Sequence, residues 1–138
     1  MGFLRPTNGN TSGSTQDVVS ITINENVSKG DILRAKVAGS HGMLEKANDT
    51  GLGCVGIAAQ TGTIGTSINV YQAGLATVNF AVSLTSADIG KRVYVSSTSG
   101  QATLTAPTTS GTTVIEVGRL RSEAGSVLLS PRTILQNA

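Results

Sequence analysis

The sequence predicts an all-β protein, a compact antiparallel β-barrel or sandwich with one short helical turn and an extended N-terminal arm. Three observations carry this. Nine short runs rich in Val, Ile, Thr and Ala, at residues 18–24, 32–37, 55–61, 68–71, 76–81, 92–97, 101–106, 114–120 and 127–134, have the length and composition of strands. Gly, Ser and Thr punctuate them at the intervals that turns require. No segment sustains the 3.6-residue apolar period of a full helix.

Residues 1–16 hold Pro6, Asn8, Gly9, Asn10, Gly13 and scattered Ser and Thr, a mixture too polar to pack by itself, and read as a flexible arm. Its apolar exception is Phe3-Leu4 followed by Arg5, which suits docking on a partner. Residues 17–138 form the single β domain. The first strand alternates at Val19, Ile21 and Ile23, the period of a sheet with one buried face. Lys29-Gly30-Asp31 makes a turn in which Gly30 supplies a positive φ, and residues 32–37 restart the sheet. The polar loop Gly39-Ser-His-Gly42 leads to residues 43–47, a short strand. Residues 51–60 are densely apolar and rich in Gly and Ala, which predicts a central strand where neighbouring backbones come close. In the next run Ile68 and Val70 face one way. Leu84 to Gly90 is the one helical turn, with Thr85 as cap and Gly90 ending it in the left-handed region. A hairpin through 96–100 joins the runs at 92–97 and 101–106. Pro107 to Thr112 turns the chain again, Ile115, Val117 and Arg119 share one face of the next run, and Gly125 turns the last hairpin.

The chain has 138 residues. A globular chain of this size buries about two-thirds of its unfolded surface, enough for one core without disulfides. Phe3, Tyr71, Phe80 and Tyr94 are the only aromatics, so that core is built of Val, Ile, Leu and Ala and suits a thin sandwich or narrow barrel. Charged residues are 13% of the chain, against roughly 25% in ordinary soluble domains. The surface is therefore Thr, Ser, Asn and Gln, which suits packing against other proteins.

Chemistry has few bearers. A net charge of +2 arises from ten basic and eight acidic residues with no run of three like charges, unlike the clustered basic face of a nucleic-acid binder. Arg119, Arg121 and Arg132 are the one local basic concentration, and Arg119 and Arg121 are candidate interface residues. Cys54 is alone and heads an apolar strand, so it reads as a small buried hydrophobe; a nucleophile would need His41 beside it. His41 has no second ligand at metal-binding spacing. Glu116 and Glu123 stand on adjacent antiparallel segments, where Glu116 is expected to pair with Arg92, Arg119 or Arg121 across the sheet, worth up to about 1 kcal/mol if exposed. Gly62-Thr-Ile-Gly65 lacks the Gly-Lys-Ser/Thr of a phosphate loop. The two Tyr and absent Trp offer little stacking surface for glycans or single strands. The opening Met-Gly-Phe-Leu-Arg lacks the apolar core of a secretory leader, and no stretch reaches the length of a membrane span. An enzyme is therefore not expected, nor a cofactor, a bound metal, a nucleic-acid partner or a membrane.

The run Val27-Ser-Lys-Gly-Asp-Ile-Leu-Arg, then Lys46-Ala-Asn-Asp-Thr-Gly, Val55-Gly-Ile-Ala-Ala-Gln and Ile68-Asn-Val-Tyr-Gln-Ala-Gly-Leu-Ala resembles the small capsid decoration, or head-stabilising, proteins of tailed phages. There a Gly-Asp-(Val/Ile)-Leu start leads to Val-Gly-(Ile/Val)-Ala and then Val-Tyr-x-x-Gly. Ala87-Asp-Ile-Gly-Lys-Arg-Val-Tyr-Val, Ala102-Thr-Leu-Thr-Ala-Pro-Thr-Thr-Ser-Gly and Val117-Gly-Arg-Leu follow the same layout, which spans residues 27–121. Similar strings occur in phage fibre domains. The resemblance implies a β-rich cement protein, a homotrimer on the exterior of the virion capsid whose partners are the major capsid protein and itself, made in the host cytoplasm. Residues 1–16 occupy the place of the arm that reaches across capsid subunits, with Phe3, Leu4 and Arg5 as its contacts. No catalytic side chain transfers, because that family has none. The alternative is a trimeric fibre or receptor-binding module that recognises a host surface glycan.

Overall fold

The structure, a computed structural model, describes residues 17–36, 43–51 and 53–138. Nine antiparallel strands form one curled sheet: β1 (Asp17–Thr22), β2 (Ile32–Ala35), β3 (Leu44–Lys46), β4 (Cys54–Ala58), β5 (Ser67–Thr77), β6 (Arg92–Val95), β7 (Ala102–Thr103), β8 (Thr113–Leu120) and β9 (Ser126–Gln136). Their order is β3-β2-β4-β5-β9-β8-β6-β7, with β1 also paired to β5. The sheet curls into a half-barrel, and its two ends are tied through the β6–β7 turn. Gly100 N donates to Ala47 O at 2.7 Å, and Ile32 N donates to Gly100 O at 2.8 Å.

Most elements follow the local signals. Gly30, Gly90, Gly100, Gly111 and Gly125 all have positive φ at turns. The helical turn is a single 3-10 turn, Ser86–Asp88, in which Asp88 Oδ2 accepts from Thr85 N at 2.9 Å. As expected of a crowded central strand, β4 lies between β2 and β5, where a side chain at Gly56 would meet Tyr71 O at 2.5 Å.

Three differences have physical causes. The runs at 68–71 and 76–81 are one strand to Thr77, because Gly74 at φ 85° lets β5 bend and continue. Its first half pairs with β1 and β4, and its second with β9, so β5 joins the two halves of the sheet. The run at 101–106 pairs only at Ala102 and Thr103, after which the chain leaves the sheet towards Pro107. Finally, there are two apolar clusters. Ile32 of β2 and Ile57 of β4 point into the barrel with Val93, Ile115, Val117, Leu120 and Val127. Leu33 and Ala58, one residue on, point the other way, where Ile23, Val27, Leu44, Ile68 and Val70 cover them. Alternation on β2 and β4 thus has apolar residues on both faces, and the segment after β1 covers the outer one.

Candidate functional site

The outer face of the sheet carries a row of paired residues across four strands. Leu75 on β5 is opposite Leu128 on β9; Leu128 is opposite Arg119 on β8, and Arg119 is opposite Arg92 on β6. Directly opposed residues in an antiparallel ladder share a face. The neighbours of these four, Ala76, Val127, Leu129, Leu120 and Val93, are buried in the barrel cluster, so the row itself points to solvent. All four side chains are exposed, Leu128 at 44%.

The adjoining row is Tyr94, Glu116 and Arg132, also in cross-strand register. Glu116 Oε1 accepts from Arg132 Nη2 at 3.3 Å and lies 3.8 Å from Arg92 Nε. The expected partner Arg92 is therefore present. Arg132 takes the place assigned to Arg119 or Arg121, and Glu116 is buried rather than exposed. The cause is a bulge between Glu116 and Gly118. It shifts the alternation by one, so Ile115, Val117 and Leu120 face the core while Arg119 turns outward. No side chain fits at Gly118, where a Cβ would collide with Leu128 O. Arg119 Nη1 donates instead to Gly90 O at 3.1 Å. Arg121, exposed just beyond β8, lies one buried residue further along. Glu123 sits in the turn that Gly125 closes, beyond the end of the ladder that pairs Glu116 with Arg132.

The face is thus cationic at one end, apolar at the other, and carries a single buried carboxylate between Arg92 and Arg132. Lys91 nearby is already bound to Asp88 Oδ1 at 2.9 Å. The Lys91 ammonium, then the Thr85 amide, hold the Asp88 carboxyl below its ordinary value. Cys54 is half-buried rather than fully buried: it packs against the barrel cluster, its Sγ–H points to Gly56 O at 3.7 Å, and burial pushes the thiol up to about 12. His41, Phe3, Leu4 and Arg5 lie outside the described residues. Among the described residues no group of three or more His, Cys, Asp or Glu could hold a metal, and no helix is long and apolar enough to cross a membrane.

Sequence reasoning found Arg119 and Arg121 by their local density but missed the two leucines, because only strand register reveals that Leu75 and Leu128, far apart in the chain, extend the arginine row. Comparison with protein-family models finds no match to this chain, and comparison with curated proteins finds no significant relative.

Proposed function

We propose that this chain is a tailed-phage capsid cement protein that binds the outside of the expanded shell as a homotrimer and stabilises it, with no reaction of its own. The observation that carries the reading is the exposed Leu75-Leu128-Arg119-Arg92 row, which strand register lines up across β5, β9, β8 and β6. Arginine is enriched at protein interfaces and their buried centre is more apolar than the surface around it, whereas catalytic sites need a reactive group in a cleft. The layout shared with decoration proteins over residues 27–121 supports the same reading.

Binding to the expanded lattice in preference to other shell states stabilises that lattice by linkage. A trimer adds multivalency, so that three weak contacts on one rigid unit hold far more tightly than one. Phe3, Leu4 and Arg5 supply the arm contact in this reading, and Arg119 the contact from the sheet. Purified protein mixed with undecorated expanded capsids tests it: saturable binding at threefold positions is expected, weakened by removal of residues 2–16 without a fall in Tm. Binding to host cells with none to the shells would overturn it in favour of a fibre module.

A further inference from the structure

A surface groove of about 420 Å³ lies away from the arginine row, between the β6–β7 turn and the segment 105–109. That volume is within the range of roughly 300–1,000 Å³ in which small-molecule sites fall. Its lining includes the hydroxyl residues Ser96, Thr98, Thr105 and Thr108, the apolar Pro107, and Asp49, the one charged residue among them. Asp49 is 9% exposed. Its carbonyl accepts from Thr113 N at 2.6 Å; its carboxylate makes no hydrogen bond or ion pair with the described residues, which do not include the nearby Leu52. A buried carboxylate without donors is unfavourable, and native proteins seldom leave one so unless something outside the chain supplies them.

We propose that this groove is a saccharide-binding site in which Asp49 accepts hydrogen bonds from neighbouring hydroxyls of a sugar ring. Ser96 Oγ is engaged with the Thr98 backbone, donating to Thr98 O at 3.1 Å, and Thr98, Thr105 and Thr108 bring hydroxyls, which both donate and accept, as a pyranose edge does. An ammonium or guanidinium would satisfy Asp49 but could accept nothing from the threonines. The described residues around Asp49 form no carboxylate cluster for a metal ion. Pro107 offers an apolar surface to the C–H face of the ring. The walls are fixed before binding: Asn137 Nδ2 donates to Pro107 O and to Thr112 Oγ1, both at 2.9 Å, and Thr98 N donates to Ser96 Oγ at 3.1 Å. With no aromatic platform the affinity for one sugar is low, about 1 mM. The inference goes beyond shell attachment and uses none of the residues of the arginine row, so either can fail alone.

The test is a titration of the isotope-labelled full chain, followed by amide chemical shifts, with the methyl glycosides of glucose, galactose, N-acetylglucosamine and rhamnose and separately with dextran. Saturable shifts at residues 95–98 and 105–109 are expected with at least one glycoside. Asp49→Asn should weaken them by about tenfold, as loss of a charged acceptor does. Thr108→Arg, at an exposed rim position outside the core, should abolish them and serves if Asp49→Asn does not fold. Shifts shared by dextran assign the site to the interior of a glycan chain, and shifts with free glycosides alone assign it to a terminal or free sugar. Absence of saturable shifts with every sugar, or shifts that persist in both variants, would overturn the proposal. So would saturation of the groove by acetylarginine amide where no sugar binds.

Discussion

Glu116 keeps 5% of its side chain in solvent, while Arg92 and Arg132 beside it keep 47% and 58%. The desolvation cost therefore falls on the carboxylate, and the arginines remain largely hydrated. Removing both arginines (Arg92→Ala with Arg132→Ala) should cost about 3 kcal/mol, since it leaves a buried charge uncompensated. Glu116→Gln, which leaves only solvated cations behind, should cost about 1 kcal/mol. Urea midpoints of the three proteins measure this asymmetry. Burial acts differently at Cys54, where it lifts the thiol to about 12 and so keeps the reactive thiolate scarce at neutral pH. A thiol reagent such as dithionitrobenzoate should label Cys54 in urea but not in the native state. The hydrophobic role of Cys54 was legible in its Gly-Cys-Val-Gly setting. The burial of Glu116 was not, because a charge in a strand reads as exposed unless the register that lays two arginines over it is known.

Edge strand β3 is three residues long, too short to hold its place by backbone pairing alone. Arg34 on β2 stands directly opposite Glu45, and its Nε donates to Glu45 Oε2 at 2.8 Å, with Lys36 Nζ 3.4 Å from Oε1. Burial acts to raise the Glu45 carboxyl, but the hydrogen bond and charge of Arg34, then those of Lys36, outweigh it and hold it below its ordinary 4.5. A depressed folded value means stability that is complete above 4.5 and is lost as the pH falls through the lower folded value. Amide exchange at Lys36 and Ala47, whose N–H groups donate across this pair to Met43 O and Ile32 O, should therefore quicken on acidification through that window, and Glu45→Gln should remove this pH dependence. On β8 the decisive element is the bulge. Gly118→Ala sets a Cβ against the backbone of Leu128 and should lower stability by about 1–3 kcal/mol, the usual cost of overpacking. A similar loss is expected for Gly56→Ala, whose added Cβ would stand 2.5 Å from Tyr71 O. Period-two patterns and turn glycines made most strands legible. The bulge and the continuity of β5 were not, since a glycine within a strand pattern marks a break, a bend or a close approach alike. Gly74 proved to be a bend and Gly118 a close approach.

The outer row combines two kinds of surface, one sensitive to salt and one not. Arginine contacts made at the row are screened, because the Debye length falls from about 10 Å at 0.1 M to about 3 Å at 1 M. Burial of Leu75 and Leu128 is not screened. If this face docks on the shell, binding should weaken as salt rises. Arg119→Glu should abolish most binding at low salt and flatten the salt dependence, while Leu128→Ala should weaken binding by a similar factor at every salt concentration. Neither side chain belongs to the apolar clusters, so the Tm should hold in both variants. The proposed trimer would use another part of the surface. Beyond Leu129, β9 pairs with β8 on one side and no longer with β5, and Ile134 and Leu135 there are 40% and 50% exposed. Exposed apolar residues favour association. Light scattering should give a mass three times the 14.0 kDa of one chain. Leu135→Glu should reduce it towards one, whereas Arg119→Glu should leave it unchanged. A variant that lost the trimer yet bound shells as tightly as the parent would show that multivalency contributes nothing to attachment, and a trimer indifferent to Leu135→Glu would place its contacts elsewhere on the barrel.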